Sequence, residues 1–382
     1  MKKRGYDYID TEEAWQAAAA ELMVQPMIAV DLESNGLHTY PEHICLLQFA
    51  TAERVMIVDP EAVGNGDELR AIFTAAGVEK IFHSCDYDIR SLDRDYKVRM
   101  VNLFDTAIAS QFLGAGRLGL GNVMQEFLGI QLDKSKKLQQ MDWGMRPLPE
   151  NALRYAADDV AYLIRLRNDL MSKLNTLHRT AWVQEEAERM QDLRHRPPHP
   201  PEEAFKTVKG SRTLKPHQMA VLREIYLFRE QVALHFGRPP FKIMSTATML
   251  ELAMKPKRKL TEVPGLSRWL LSRAEGELRA ALARGRKAEP VHLVSNRFRS
   301  PWNRTSLARI GALKNWRTRQ GELMSLDPSL LWPAVSLERM ALKPDERDTE
   351  LFKPGNNEVR VWQRKMFAEQ IAALPLWQTH KG

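Results

Sequence analysis

At 382 residues, the chain is too long for one ordinary domain and long enough for two or three, each with its own core. A hydrophobic fraction of 44% beside 27% charged residues excludes disordered, collagen-like and fibrous classes; the two cysteines, Cys45 and Cys85, are too few for a disulfide framework and lack zinc-site spacing. The net charge of +8 is unevenly spread: residues 1–200 hold 23 Lys and Arg against 30 Asp and Glu, and residues 201–382 hold 33 against 18, so an acidic region is joined to a basic one suited to a polyanion such as nucleic acid.

The basic start, Met1-Lys2-Lys3-Arg4, leads into polar residues and not into a signal-peptide core, and no stretch approaches the length needed to cross a bilayer. A cytoplasmic protein without a membrane partner is expected, and nothing points to an obligate protein partner. Met27–Glu33 reads as a buried strand, with Ile44–Ala50 and Arg54–Val58 as the next strands of a meander. Lys80–Phe82 and Val101–Phe104 read as short strands separated by helical segments, as in a mixed α/β sheet. Four prolines within residues 197–201 exclude helix there, so a first domain of residues 1–195 and a linker at 196–211 are expected. Beyond it the pattern is helical, with a weak repeat offset by about 88 residues: Leu222, Phe228-Arg229, Phe236 and Pro240 are answered by Ile310, Trp316-Arg317, Met324 and Pro328, and Leu250 by Leu337 after a one-residue slip. Two small helical domains, 212–290 and 300–376, follow, joined by basic stretches at Arg284–Lys287 and Arg297–Pro301.

Three short patterns carry chemistry. Asp31-x-Glu33 lies on an apolar strand, whose alternation puts both carboxylates on one face; a divalent cation would offset the cost of burying two like charges. His83-Ser84-Cys85-Asp86-Tyr87-Asp88-Ile89 spans a strand end and a helix start, where Asp86 suits a cap and Asp88 suits a ligand. Arg154–Leu163 has helix-forming composition without a breaker. It places Tyr155 and Asp159 one turn apart on one face, with Asp158 an open rival on geometry alone.

In this chain order the patterns resemble ribonuclease D, of the DEDD exonuclease superfamily, in the subgroup whose third motif carries tyrosine. Asp31 and Glu33 match its first motif, Tyr87-Asp88 its second, and Tyr155-x-x-x-Asp159 its third, which selects Asp159 over Asp158. Leu103–Thr106, Asp142-Trp143 and Arg146–Leu148 are also similar to family segments. The resemblance implies an α/β ribonuclease H-like exonuclease domain with a mixed sheet, followed by two all-α modules of HRDC type; Leu250-x-Leu252-Ala253, Pro256, Leu260 and Val263-Pro264-Gly265 resemble the first module's core pattern. It further implies a 3′→5′ exoribonuclease that releases nucleoside 5′-monophosphates, with transfer-RNA precursors among its substrates; the rival readings are a DNA 3′→5′ exonuclease of the same superfamily and a non-catalytic RNA-binding scaffold, the latter disfavoured by the full set of carboxylates. Two Mg²⁺ or Mn²⁺ ions are expected on this all-oxygen site: Asp31 bridging them, Glu33 and Asp159 completing the site of the attacking water, Asp88 holding the second ion, and Tyr155 orienting that water. His83, where many superfamily members have asparagine, is read as a locally bonded strand-end residue.

RNA needs positive surface. Lys134, Lys136 and Lys137 precede Trp143 and Arg146 in a basic and aromatic segment suited to a single-stranded 3′ tail. Lys255, Lys257, Arg258 and Lys259 form the densest cationic cluster of the basic half, and RNA binding through it should weaken with salt.

Overall fold

A strand that is apolar on both faces belongs in the middle of a covered sheet, and Met27–Ser34 occupies that place in the computed structural model, which describes residues 5–132, 135–293, 301–353 and 358–377. The strands are β1 (Asp7–Ile9), β2 (Met27–Ser34), β3 (Ile44–Ala50), β4 (Val55–Val58), β5 (Glu79–Phe82) and β6 (Leu103–Asp105), in the spatial order β1-β4-β3-β2-β5-β6. β2, β3 and β4 form the antiparallel meander expected from sequence. β5 joins β2, and β6 joins β5, in parallel, with helical crossovers between them. β1 was not expected: three residues long, it pairs in parallel with β4 at the sheet edge.

Alternation along β2 divides the core. Ile28, Val30 and Leu32 face a cluster containing Trp15, Phe49, Phe73 and Phe82. Ala29 faces the opposite cluster, which includes Trp143, Ala152, Ala156 and Leu166. Asp31 and Glu33 share that second face, beneath helix Glu150–Val160, which packs across β2, β3 and β4.

Two helical modules follow, and the repeat is real in three dimensions. Helices Pro216–His235, Pro240–Ile243 and Thr246–Met254 are answered by Arg304–Met324, Pro328–Leu331 and Ala334–Leu342, each start displaced by 88 residues. No slip is needed at the third helix. The partner of buried Leu337 is buried Met249, and Leu250 corresponds to Glu338. The linker is shorter than expected, because Pro201 opens a short helix, Pro201–Ala204, and Phe205 enters the first module's core. A proline at a helix's first position loses nothing, since that N–H would be unpaired anyway. Arg284–Lys287 ends helix Arg268–Lys287 instead of forming a connection; of Arg297–Pro301, residues 297–300 lie outside the described residues.

The modules attach differently. The first touches the amino-terminal domain at Tyr40, whose N–H donates to Gly237 O at 3.1 Å and whose hydroxyl donates to Glu230 Oε2 at 3.0 Å. The second shares the amino-terminal domain's core. Trp182 and Trp362 stack at 4.4 Å with Phe112 edge-on to both, and Arg360 donates to both oxygens of Glu186 at 2.6 and 2.8 Å.

Candidate active site

Asp31 and Glu33 stand where β2 approaches a register shift at Ser34. Across the ladder, Gln48 is directly opposite Asp31, so the two side chains share a face. Gln48 is fully buried, and neither its Nε2 nor its Oε1 has a partner.

Asp88 arrives on helix Asp86–Tyr96, whose start is fixed by a residue that sequence reasoning passed over. The buried Asp105 carboxylate accepts from the N–H groups of Ser84 (3.1 Å) and Cys85 (2.9 Å). It also caps the next helix through Ala107 (2.8 Å) and Ile108 (3.2 Å). Ser84 adopts φ +64°, an uncommon conformation for a residue other than glycine, and Asp105 holds it there. An aspartate immediately before a helix was the available signal. His83 bonds residues distant in sequence, Thr106 Oγ1 at 2.9 Å and Leu118 O at 2.7 Å. Asp86 is not the cap; it lies in the first turn and pairs with Arg90 at 2.9 Å.

Helix Glu150–Val160 comes close to the sheet because Ala152, Ala156 and Ala157 are small and buried. It carries Tyr155 and Asp159 to the same space. Gln139 hydrogen-bonds the Tyr155 side chain, and the indole of Trp143 lies 6.2 Å away, centroid to centroid.

Asp31, Glu33 and Asp159 are partly exposed and Asp88 is buried. Lost hydration, opposed by the N–H of Leu32, raises Asp31 to about 6. Lost hydration raises Glu33 well above its usual range, and the charges of Asp31, Asp159 and Asp88 push it further. Asp88 is raised for the same reasons, with Asp31 and Asp105 as its largest like-charged neighbours. Tyr155 is raised by burial, then by Asp159, against the Gln139 hydrogen bond, and further by Glu33 and Asp31. The charge of Asp159 bears on both Glu33 and Tyr155, while Asp158 lines a pocket beside Tyr155.

Carboxylates from three elements that repel one another in a dehydrated cleft suit a divalent cation, because a cation removes the repulsion and replaces the lost hydration. The orphaned amide of Gln48 beside Asp31 fits the same account, since it lacks a partner that protein supplies. As the side chains stand, no three His, Cys, Asp or Glu among the described residues are grouped so as to hold an ion.

The expected RNA contacts divide. Lys137 lines a cleft of 470 Å³ with Arg154, Asn151 and Tyr155, and Lys136 is exposed on the same short helix, Lys136–Gln139. Lys134 lies outside the described residues. Trp143 is only 1% exposed, so it is core and cannot stack on an entering base. Arg146 is also engaged: its Nε meets Asp59 Oδ2 at 2.5 Å, and its other nitrogens donate to Trp143 O, Met145 O and Cys45 O. Burial pushes Asp59 up, but hydrogen bonds from Arg146, Tyr8 and the Glu61 N–H outweigh it and hold the acid below its usual range. In the carboxy-terminal cluster, Glu251 accepts from Lys255 and Arg258 at 3.1 and 2.6 Å, and Lys259 stands 4.0 Å from Glu262. Lys257 is exposed.

Glu42 is a second residue missed from sequence. Tyr87, beside Asp88, donates to Glu42 Oε2 at 2.8 Å and bonds Ser34 Oγ at 2.7 Å, while Glu42 also meets Arg94. The first and second motifs are thereby tied together at the cleft's edge.

Residues 6–175 match the family model for a 3′-5′ exonuclease. The chain is 32% identical over 271 residues to a ribonuclease D of Sphingobium indicum, covering 69% of each chain. It is 31% identical over 259 residues to the Drosophila melanogaster exosome complex component 10 homolog, covering 66% of this chain but only 29% of that protein. Its fold superposes on Escherichia coli RNase D with a TM-score of 0.68 at 22% identity, over 96% of this chain and 98% of that one.

Proposed function

The chain belongs to the ribonuclease D family of 3′→5′ exoribonucleases, and on that premise we propose that Asp31, Glu33, Asp88 and Asp159 hold two divalent cations, Mg²⁺ or Mn²⁺, over the last phosphodiester bond of an RNA 3′ end. The observation that carries this reading is the convergence on Glu33 of Asp31, Asp88 and Asp159 from three separate elements. An all-carboxylate set suits hard cations and not zinc. Bound there, the cations supply electrostatic stabilisation of the attacking and leaving oxygens.

The protein's own groups set the geometry. β2 fixes Asp31 and Glu33 on one face; Asp105 and the Tyr87–Glu42 contact fix the helix that carries Asp88. Tyr155 is held above the usual phenol range, first by burial and then by the neighbouring carboxylates. It therefore orients a water by donating a hydrogen bond and does not act as a strong base. Nucleoside 5′-monophosphates are the products, and transfer-RNA precursors with single-stranded 3′ ends are the substrates we favour. We also read the helical modules as HRDC-type, and the cytoplasm as the compartment, which suits two buried, unbridged cysteines.

Incubation of 5′-labelled RNA and DNA carrying matched 3′ tails, with Mg²⁺, Mn²⁺ or chelator, tests the reading. Stepwise shortening of RNA from its 3′ end, with monophosphate release and arrest by chelator, is expected. Equal or faster shortening of DNA, or activity that survives chelator, would overturn it.

A further inference from the structure

The first helical module carries a cationic and aromatic surface that none of these roles uses. Trp269, near the start of helix Arg268–Lys287, has two guanidinium groups over its ring, Arg238 4.2 Å and Arg273 5.2 Å from the centroid. Phe236 meets the same indole edge-on at 5.0 Å. Phe241 is 55% exposed, and Lys242 and Arg268 are exposed next to Phe241 and Trp269 in sequence.

A guanidinium stacked on an indole is held in plane while its N–H edges stay outward, the presentation that matches a phosphate. Among the described residues, no ion pair includes Arg238, Arg268, Arg273 or Lys242; the polar contact of Arg273 is Ser272 Oγ at 3.4 Å. The densest run of charge in the sequence differs, since Lys255 and Arg258 spend theirs on Glu251. Position matters as well. Arg238 follows Gly237, whose carbonyl accepts from Tyr40 N–H, and Tyr40 lies in the loop that leaves β2 after Ser34, seven residues beyond Glu33. Seven residues reach no more than roughly 25 Å, so the patch begins within a short single strand's length of the carboxylates.

We propose that Arg238, Trp269, Arg273, Phe241 and Lys242 form a docking surface for the single-stranded RNA lying upstream of the 3′ end under attack. The proposal rests on the exoribonuclease reading above. Outward guanidinium edges bind successive phosphates, and the exposed ring of Phe241 gives a base a face to stack on, the combination that holds single strands without reading sequence.

Binding of a labelled single-stranded RNA across a salt series tests it in the full-length protein, using Arg273→Ala, Arg238→Ala/Arg273→Ala and, as a charge-matched comparison, Lys255→Ala/Arg258→Ala. Each single-strand phosphate contact contributes about 0.7 to the log–log salt slope. The Arg238/Arg273 double variant should lose about 1.4 of slope and bind about tenfold more weakly. Arg273→Ala, on an exposed side chain, should lose about half of that and keeps the test open if Arg238→Ala disturbs packing. The Lys255/Arg258 variant should lose less. Cleavage of tailed RNA should fall more than cleavage of a dinucleotide. An unchanged slope, an equal loss in the Lys255/Arg258 variant, or an equal fall on the dinucleotide overturns the surface; in that last case the arginines act through the catalytic loop. RNA affinity that survives while an acidic peptide is displaced would reassign the patch to a protein partner. Wild-type protein that binds the tail without shortening it would sink the exonuclease reading and leave this surface standing.

Discussion

Gln48 stands directly opposite Asp31 across the β2–β3 ladder, and both polar atoms of its buried amide lack a partner. An unsatisfied buried amide costs roughly 1–3 kcal/mol. Gln48→Met, unbranched and similar in size, should therefore stabilise the chelated protein by about 1 kcal/mol while lowering exonuclease activity in Mg²⁺. Urea unfolding in chelator and end-labelled RNA check the two halves separately. A variant less stable than wild type in chelator would mean that the amide already has a partner.

Removing one charge from a like-charged cluster relieves repulsion. Asp31→Asn and Asp159→Asn should thus leave chelated stability unchanged or higher, while activity drops by at least roughly a thousandfold, about 4 kcal/mol of transition-state stabilisation. Asp158→Asn should stay near wild type. Tyr155→Phe, which loses one hydrogen bond to water, should cost roughly tenfold to a hundredfold. Single-turnover cleavage of tailed RNA ranks the four, and parity between Asp158→Asn and Asp159→Asn would reopen the assignment of the third motif.

Local period carried much of this site. Asp31 and Glu33 were legible because a strand has only two faces, and the four-residue spacing of Tyr155 and Asp159 because a helix repeats near that interval. Separating Asp159 from Asp158, and Asp88 from Asp86, needed motif spacing, since the members of each pair lie within two residues of each other and are equally acidic. Contacts distant in sequence were not legible. Trp143 looked like a stacking platform because aromatic and basic neighbours suit RNA, but its burial depends on the packing of helix Glu150–Val160. Arg146 finds Asp59 at a separation of 87 positions along the chain. Glu251, by contrast, sits four residues before Lys255, so the partial neutralisation of that cluster was readable by the helical rule.

Lys80 gives a pH signature. Its side chain is buried, and its Nζ donates to Ala75 O at 2.7 Å. Loss of hydration lowers it to about 8, against the opposing charge of Glu79. Below pH 8 both folded and unfolded chains hold the proton, so the folded state carries the full cost. As pH rises from about 8 towards the unfolded value of 10.5, the folded chain gives up its proton first; the unfolded chain then binds more protons, and stability increases. Lys80→Met should remove this rise and stabilise the protein at neutral pH by up to roughly 3 kcal/mol. Denaturant midpoints at pH 7, 8.5 and 10 check it, and parallel wild-type and variant curves would refute it.

Arg146 serves architecture. Arg146→Ala leaves the buried Asp59 carboxylate with Tyr8 and a backbone N–H only, and should cost about 2–3 kcal/mol, below the fully buried limit because the guanidinium is partly exposed. Arg146→Lys should recover little, since one ammonium cannot span Asp59 and three separate carbonyls. The RNA salt slope of a folded Arg146→Lys protein should match wild type. A shallower slope would return Arg146 to the RNA-binding surface.

The unequal attachment of the modules makes truncation informative. Cutting after residue 293 removes Trp362 from its stack on Trp182, exposes Phe112, and leaves Glu185 and Glu186 without Arg360 and the N–H groups of Val361 and Trp362. Truncating one buried tryptophan to alanine costs about 3–5 kcal/mol, and each kcal/mol lowers the melting temperature of a domain this size by roughly 2–4 °C. The truncated chain should therefore melt at least about 10 °C lower and bind an apolar dye. Trp362→Ala in the full chain should reproduce much of that shift. The first module, tied through Tyr40 alone among the hydrogen bonds described for that contact, should respond differently: Tyr40→Phe keeps the backbone bond, so its melting temperature should fall by only a few degrees. A larger fall in Tyr40→Phe than in Trp362→Ala would reverse this ranking of the two interfaces.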